Sequence, residues 1–581
     1  MNRSGVAWFV AGAALALSIA AMISLALLRG GARELEGEDA EFIRAVDLRP
    51  LDRAAVMHEG RLKSYDSFAQ EILSSVSGRK LPLGQPADFA YLDMIIRPER
   101  YAEAPIIFIK NKNMRAQVAA ALQRSGRFDE ERGRRLIEDG LASEPDLRDP
   151  AVSELMNRWA QDVVRTAKHV DAVEGARALA RRETLLSLLR IVPDPQGRAD
   201  RPWIPLSELW RTGATLEAAE APAGGLDPEL KSALERTLLE LATGWRAKDA
   251  TMVNASVARL AEQLPSVAPG IYPEATRMAL QSWYFRSANM TWVWLIYLTS
   301  MVLLLMSVVY RWERARWAGM GVFGVAFALH TLALGWRWYV SGRWPNSNMF
   351  EAVTTSVWLG AVAVIGLEIA ARRTPMRNLF ALGGAGASMC ALMAAHYIPE
   401  LNPSINNMMP VLHDLWLYIH TNVIIASYAL IAMAAVTAGL YLAHRAMGGS
   451  AEYARVGGAA ALMEIGDERG DPLASGRRVS LGEVFDGATM VLMELSFVLL
   501  WAGIVMGAIW ADHSWGRPWG WDPKEVFALN TFIVFLVLVH VRLKVRDKGL
   551  WTAILAIIGC AVMLFNWIVI NFVISGLHSY A

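Results

Sequence analysis

The chain has 581 residues, of which 54% are hydrophobic and 22 are tryptophan, and its mean hydropathy is +0.27. This length has room for several domains, and this composition is typical of a membrane protein. The two cysteines, Cys390 and Cys560, lie far apart in apolar runs, so they indicate neither a disulfide framework nor a thiolate metal site. A net charge of +1 gives no indication of a nucleic-acid partner, and none is predicted.

The first apolar run extends from Gly5 to Leu28 and contains no charge. At about 1.5 Å per residue, it can cross a hydrocarbon core of roughly 30 Å. It is longer than a usual signal-peptide core, so we predict an uncleaved transmembrane anchor over residues 1–29. The segment 30–288 is charged, rich in arginine and interrupted by prolines, with apolar residues at helical spacing. We predict a mostly helical soluble domain inserted after the first helix.

Eight further apolar runs follow in the last half of the chain. They cover about 292–310, 318–340, 353–371, 379–395, 421–443, 487–509, 526–541 and 551–573. With the first anchor, they predict an all-α polytopic membrane protein with about nine transmembrane helices. The membrane domain is predicted over residues 289–581.

Basic residues predict the orientation of these helices. Arginines and lysines cluster in four connections, near residues 311–316, 372–377, 445–478 and 542–548, and all four fall on one side if the spans alternate. The positive-inside rule makes that side cytoplasmic. We therefore predict a multi-pass protein of the cytoplasmic (inner) membrane, with the N-terminus inside and the C-terminus and the soluble domain outside.

A tryptophan-rich loop at residues 510–525, WADHSWGRPWGWDPKE, joins two of the apolar runs on the predicted outer face. Four tryptophans stand among glycines and prolines that favour turns. One interpretation is an aromatic belt that anchors two helix ends at the membrane interface. The other is a flat platform for a large planar ligand.

Several histidines lie at positions along the predicted spans that suggest a role in ligand binding. His420 begins one span at its outer end, and His578 ends the last span at the same level. Either alone is typical of an interfacial hydrogen bonder, but together they could form a bis-histidine axial set for haem iron. His540 lies within the membrane toward the cytoplasmic end, where it is either a functional group or a snorkelling neighbour of Arg542. His330, near mid-membrane, is a weaker candidate.

These strings resemble a known family. WGRPWGWDPKE resembles the signature of tryptophan-rich haem-handling membrane proteins, and its DPKE ending resembles the CcsA/ResC branch of the system II cytochrome c synthases. Three other strings are similar to further motifs of that family: WRWYVSGRWPNSNMFEA at 336–352, PVLHDLWLYIHTN at 410–422 and NFVISGLHSYA at 571–581. The resemblance covers about residues 290–581. EGRLKSYDSFAQEIL at 59–73 resembles, more faintly, a segment of the fused CcsB-CcsA forms.

The resemblance implies a set of haem-binding residues. His420 and His578 would be the axial ligands of haem iron at the outer site, and His540 would belong to an intramembrane haem site. The remaining implied contacts hold the haem edge through the tryptophan loop: Trp515, Trp519, Trp521 and Asp522. A second intramembrane histidine would come from a CcsB/ResB-like membrane subunit, or His330 would replace it.

The resemblance also implies the activity. The protein would be a cytochrome c synthase (haem lyase) component that moves haem b and presents it on the outer face for thioether attachment to the CXXCH motif of apocytochrome c. A thioredoxin-like thiol reductant would keep that motif reduced, and no catalytic residue is assigned. Two alternatives are a haem exporter or CcmF/CcmC-like carrier without ligase activity, and a structural membrane assembly subunit.

Overall fold

Long apolar helices and short amphipathic helices occupy different parts of the chain and form two units. A computed structural model describes residues 3–30, 39–78, 82–163, 165–210, 225–408, 413–455, 479–570 and 574. One unit comprises Met1–Leu27 and Ser287–Ala581, here called the membrane unit. The other comprises Leu28–Arg286 and is called the inserted unit.

The inserted unit is built from short helices. They are α2 (Ala40–Ala45), α3 (Tyr65–Ser77), α4 (Ala87–Ile96), α5 (Lys112–Arg124), α6 (Glu130–Asp139), α7 (Glu144–Leu147), α8 (Pro150–Gln161), α9 (Ala167–Leu179), α10 (Arg182–Leu188), α11 (Pro228–Ala247), α12 (Ala250–Val267) and α13 (Ala275–Arg286). Three antiparallel strand pairs accompany them: β1 (Ala55–His58) with β2 (Arg61–Ser64), β3 (Ile107–Phe108) with β4 (Leu141–Ala142), and β5 (Arg190–Val192) with β6 (Ile204–Pro205).

Side-chain caps start several of these helices where the sequence changes from polar to amphipathic. Asn111 caps α5, Asp129 caps α6 and Asp249 caps α12, each through its side-chain oxygen. Ser64 caps α3 by accepting a hydrogen bond from Ser67 N. The apolar faces of these helices then bury one continuous core, in which Trp245 is fully enclosed.

A charged cluster forms around Arg286, the last residue of the inserted unit. Arg286 contacts three carboxylates, with Nη2 2.6 Å from Asp52 Oδ1, Nε 3.0 Å from Asp66 Oδ2 and Nη2 3.9 Å from Asp88 Oδ2. One guanidinium carries a single charge, so it cannot neutralise three acids. Burial, reinforced by the nearby charge of Asp66, raises the pKa of Asp88 to about 6.

The membrane unit is all-α in its described part. It comprises α1 (Arg3–Gly30), α14 (Trp294–Val309), α15 (Glu313–Ser341), α16 (Met349–Ala371), α17 (Leu379–Tyr397), α18 (Leu415–Ala446), α19 (Leu481–Trp515), α20 (Pro523–Lys544) and α21 (Lys548–Phe565). Within the described residues, nine helical segments are long and apolar enough to cross a membrane. The prediction of an all-α polytopic membrane protein is confirmed.

The last span changes its winding before it ends. After α21 the chain continues as a π-helix over Asn566–Ile570. A π-helical turn holds an additional residue and is frequent at functional sites. The predicted ligand His578 lies beyond it, outside the described residues.

Ion pairs join the spans at the end of the unit that carries the basic connections. Arg542 donates to both carboxylate oxygens of Asp486, at 2.9 and 2.7 Å, and thereby joins α20 to α19. Arg445, at the end of α18, pairs with Asp547 at 2.6 Å. The opposite end of the unit holds the tryptophan loop.

The substitution Asp88→Asn should change how the stability of the protein depends on pH. The pKa of Asp88 is raised in the folded state, so this group stabilises the fold fully below its ordinary pKa of 3.8, and that contribution is lost as the pH rises through about 6. We expect the difference in melting temperature, wild type minus variant, to decrease as the pH is raised from about 4 to about 7. Thermal unfolding of the full chain in detergent measures it.

The matched control is Asp171→Asn, because Asp171 is exposed on α9. Its melting temperature should follow that of the wild type at every pH. An equal pH dependence in wild type and Asp88→Asn would contradict the raised pKa.

Candidate functional site

Two close-packed helices position His420. The residue lies in the second turn of α18, which Asp414 caps by accepting a hydrogen bond from Trp416 N at 2.6 Å. Against it, α19 presents Gly503 and Gly507, one turn apart. A Cβ at Gly503 would lie 2.5 Å from Ile424 Cδ1, and one at Gly507 would lie 2.6 Å from His420 Cε1. The absence of a side chain at Gly507 lets α19 come this close to the imidazole, whereas a methyl group at Gly503 would displace the end of Ile424.

A backbone hydrogen bond decides the protonation pattern of this imidazole. His420 Nδ1 lies 2.7 Å from the carbonyl oxygen of Gly503. A carbonyl oxygen can only accept, so Nδ1 carries the proton, and in the neutral ring Nε2 bears the lone pair. Histidines that bind metals are commonly oriented in this way, with the second nitrogen donating to a carbonyl.

His420 lies in the wall of a cavity of about 240 Å³ at the end of the membrane unit that holds the tryptophan loop. Its lining comes from five different parts of the chain. It is mostly apolar and aromatic, with a few polar groups. The lining residues are Asn346, Met349, Ala352, Leu417, His420, Thr421, Ile424, Ile425, Tyr428, Ile504, Gly507, Ala508, Trp510, Pro518, Trp519, Lys524, Glu525, Ala528, Asn566 and Trp567. An apolar cavity with few convergent polar groups is typical of a small-molecule site.

The tryptophans of the loop have different environments. Of the three assigned to the ligand, Trp519 lines the cavity, whereas Trp515 and Trp521 are not among its lining residues. Trp521 is 75% exposed and has a φ of +56°, a conformation that bulky residues rarely adopt. Trp510, which was not assigned to the site, lines the cavity and is 1% exposed. Trp510 and Trp515 both belong to α19, which ends at Trp515, and their rings pack edge-on with centroids 4.8 Å apart.

The Asp-Pro-Lys-Glu ending of the loop is a helix start. Asp522 Oδ2 accepts a hydrogen bond from Lys524 N at 3.1 Å, and Glu525 Oε2 accepts from Asp522 N at 3.1 Å, which together form a capping box. Pro523 takes the first helical position, where its missing N–H costs nothing. Asp522 is buried and is not a lining residue of the cavity. Its predicted contact with a haem edge stays a prediction.

A buried ion-pair cluster holds the loop between α15 and α16 against the cavity. Glu351 is fully buried, with Oε1 2.9 Å from Arg337 Nη2 and Oε2 2.8 Å from Arg343 Nη1. Arg337 also donates to the carbonyl oxygen of Pro403 at 2.9 Å. The cluster thereby fixes two separate loops, and one of them carries Asn346 into the cavity wall.

The other histidines lie elsewhere in the membrane unit. His540 is exposed on α20, on the side opposite its buried residues, and its Nδ1 lies 2.8 Å from the carbonyl oxygen of Leu536. His330 is buried on α15, beside the backbone of Thr354 and edge-on to Tyr297. Neither of its ring nitrogens reaches hydrogen-bond geometry with a described residue. The structure therefore brings His420 together with Trp519, but it does not bring His540 or His330 into that cavity.

These features define a multi-pass helical membrane protein with a ligand cavity, one wall of which presents an imidazole suited to metal coordination. The profile of the family described as Cytochrome C assembly protein matches residues 346–578, which include the described cavity residues. The chain is 31% identical over 283 residues to the cytochrome c biogenesis protein CcsA of Parasynechococcus marenigrum, covering 46% of this chain and 89% of that protein. It is 29% identical over 266 residues to CcsA of Pyropia yezoensis, covering 43% of this chain and 82% of that protein.

A longer relative also matches the inserted unit. Protein NrfI of Wolinella succinogenes is 26% identical over 541 residues, which is 90% of this chain and 53% of that protein. The chain thus spans about half the length of NrfI. The chain belongs to the cytochrome c assembly family, as a CcsA-type cytochrome c biogenesis protein, and the resemblance read from the sequence is confirmed.

The substitution Gly507→Ala should disturb the place of His420. The added methyl group would lie 2.6 Å from the imidazole, so either the ring or α19 must move. We expect a destabilisation of roughly 1–3 kcal/mol, seen as a lower melting temperature in detergent. Gly439→Ala on α18 is the matched control, because a Cβ there meets nothing within 4 Å. Equal melting temperatures of the two variants would show that α19 does not approach the ring this closely.

The substitution Glu351→Gln should be far more damaging. It leaves Arg337 buried without a full counter-charge, and breaking a buried ion pair typically costs about 3–5 kcal/mol. Glu313→Gln is the control, because Glu313 is exposed and pairs with Arg316 at the surface, where such pairs contribute about 1 kcal/mol or less. Thermal unfolding compares the two. A loss no larger for Glu351→Gln than for Glu313→Gln would refute the role of this cluster.

Proposed function

We propose that the membrane unit binds haem b in the cavity beside the tryptophan loop and presents it to apocytochrome c for covalent attachment. The observation that carries this proposal is the hydrogen bond from His420 Nδ1 to Gly503, because it leaves Nε2 with the lone pair that iron requires. Family membership supports the same assignment, since the relatives are described as cytochrome c biogenesis proteins.

The size and character of the cavity support a ligand that is only partly enclosed. About 240 Å³ is slightly smaller than the roughly 300–1,000 Å³ of sites that enclose a small molecule. A porphyrin held there would keep one edge outside the protein. Trp519 and Trp567 in the wall supply aromatic surface against which a planar ring can pack. An exposed edge is what a second protein needs in order to react with the bound ligand.

His578 is the proposed second axial ligand. Asn566 and Trp567 line the cavity, and His578 follows 11 residues after Trp567 in the sequence. At no more than about 3.5 Å per residue, that stretch is long enough to return to the cavity. Two imidazoles would leave no open position on the iron for oxygen.

The covalent step belongs to haem and the acceptor cysteines. Each thiol of the CXXCH motif adds its S–H across one vinyl double bond, so a C–S and a C–H bond form and nothing is lost. The protein's contribution is position: His420 fixes the iron, the apolar wall limits access of water, and the outward edge meets the acceptor. The acceptor's own histidine then replaces one axial imidazole. A thioredoxin-like reductant would keep the two thiols reduced.

His540 is proposed to mark a second, intramembrane haem site completed by a CcsB/ResB-like subunit. Its Nδ1 donates to the carbonyl of Leu536, so Nε2 bears the lone pair on an outward-facing side of α20. A polar nitrogen on the apolar surface of a span is costly unless something covers it. A partner helix that supplies the opposing ligand would do so. His330 is buried within the unit and does not lie on that surface.

The proposed orientation follows from the same geometry. The connections rich in arginine and lysine lie at one end of the membrane unit, and the cavity lies at the other. The positive-inside rule then puts the cavity on the outer side of the cytoplasmic (inner) membrane, with the N-terminus inside. Apocytochrome c would be met on that outer face.

The substitution His420→Ala should abolish the proposed site. We expect the purified variant to lose the Soret absorption of the haem in the cavity and to fail to produce holocytochrome when co-expressed with the required partners. Added imidazole should restore part of that absorption, because the missing methylimidazole leaves space in the wall for it. Absorption spectra and staining of covalently bound haem measure the two effects.

The matched control is His444→Ala, because His444 lies on the same helix at the opposite end. It should retain both haem and activity. If His420→Ala kept a normal haem spectrum and full activity, the axial assignment would be wrong. A haem spectrum in the wild type without holocytochrome formation would favour the carrier alternative, and no haem at all would favour a structural subunit.

A further inference from the structure

Lys524 is the positive side chain of the cavity wall. Of the described lining residues, three are of the types that can carry a charge near neutral pH: His420, Lys524 and Glu525. The form of His420 that can bind a metal, with its proton on Nδ1, adds no charge to the wall. The charge that a ligand meets in this wall is therefore set by Lys524 and Glu525.

The carboxylate of Glu525 is already used within the backbone of the loop. Its Oε2 accepts hydrogen bonds from Gly520 N at 2.9 Å and from Asp522 N at 3.1 Å. These contacts hold the carboxylate in the capping box at the start of α20. The carboxylate of Glu525 therefore stabilises the loop.

Lys524 lies where positive potential accumulates. It is the second residue of α20, a helix of 22 residues, so the N-terminal end of the helix dipole adds to its ammonium charge. Asp522 is the acidic group beside it, and Asp522 Oδ2 is held by the backbone N–H of Lys524. The surrounding wall is largely apolar, which strengthens the attraction for an anionic group.

We propose that Lys524 binds a propionate carboxylate of the haem in this cavity. The inference rests on the proposed function, because it takes haem as the ligand. The propionates are the groups of iron protoporphyrin that are ionised at neutral pH, and an ammonium–carboxylate hydrogen bond is among the stronger polar contacts. Lys524 is thereby a specificity-determining residue that distinguishes a dicarboxylate porphyrin from an uncharged one.

The contact would also decide which way the porphyrin faces. His420 fixes only the iron, about which the ring could rotate. The two propionates occupy neighbouring positions on one side of the macrocycle, and the vinyl groups lie on the remaining pyrroles. A second fixed point at Lys524 would stop that rotation and present the vinyl groups to the acceptor in one register.

The test compares two porphyrins rather than two activities. Full-length protein, purified in detergent from haem-starved cells, is titrated with haemin and with haemin dimethyl ester, in which both propionates are esterified, and binding is followed by the Soret band. The measured quantity is the ratio of the dissociation constant of the ester to that of haemin. Partitioning of the ester into detergent affects every variant equally and cancels when these ratios are compared.

We expect the ratio to be about tenfold larger in the wild type than in Lys524→Gln, the factor that corresponds to a charged hydrogen bond of about 1.4 kcal/mol. Lys524→Met, a second neutral variant, should behave like Lys524→Gln, and Lys524→Arg should keep the wild-type ratio. Lys548→Gln is the matched control, because Lys548 begins α21 at the opposite end of the unit. It should also keep the wild-type ratio.

The outcomes separate the two proposals. If Lys524→Gln and Lys524→Met bind haemin but keep the wild-type ratio, the role of Lys524 is refuted while haem binding by His420 stands. If the wild type binds neither porphyrin, or if His420→Ala binds haemin with an unchanged spectrum, the proposed function fails and the inference about Lys524 fails with it.

Discussion

The carboxylate of Glu351 lies fully buried between Arg337 and Arg343, and the cavity end of the membrane unit depends on this cluster. In an apolar interior, an unpaired charge is very unfavourable, so both arginines are held against the carboxylate of Glu351. Arg337 extends the constraint to the carbonyl oxygen of Pro403, which lies beyond two further helices in the sequence. The ion pairs thus act together with the apolar cluster of Phe350, Val353, Ala395 and Leu401 to hold the two loops in place.

A second constraint is the close approach of α19 to α18. It allows the backbone carbonyl of Gly503 on α19 to accept a hydrogen bond from the imidazole of His420 on α18. The contact between His420 and Gly503 does two things at once. It fixes the direction of the ring, and it decides which nitrogen carries the proton. Because the bond uses a main-chain carbonyl, it needs no partner side chain, only the absence of one at Gly503 and Gly507. Helix packing therefore sets both the orientation of this imidazole and the nitrogen that carries its proton.

Much of this could be predicted from the sequence, for physical reasons that differ between residues. The hydropathy and length of the apolar runs identify the spans, because a helix that crosses the bilayer must be both apolar and long enough. The position of His420 at the outer end of its span predicted that it lies level with the tryptophan loop and Trp519. Trp510 was missed because its place on α19 depends on where that helix ends. The capping role of Asp522 was readable from the Asp-x-x-Glu spacing, which is a helix-start signature. The pairing of Arg337 with Glu351 could not be predicted from the sequence, because it depends on the rotation of α15 and α16 about their axes.

The π-helix at Asn566–Ile570 makes this turn of the cavity wall sensitive to the number of its residues rather than to their types. One additional residue per turn makes the side chains of this turn face directions that a continuous α-helix with 3.6 residues per turn would not give them. Asn566 and Trp567 are at the point where this phase change begins, and both belong to the cavity wall. Deleting a single residue there would leave the remaining side chains of the turn chemically intact but facing another direction. Among related chains, insertions and deletions at this turn should therefore be rarer than substitutions.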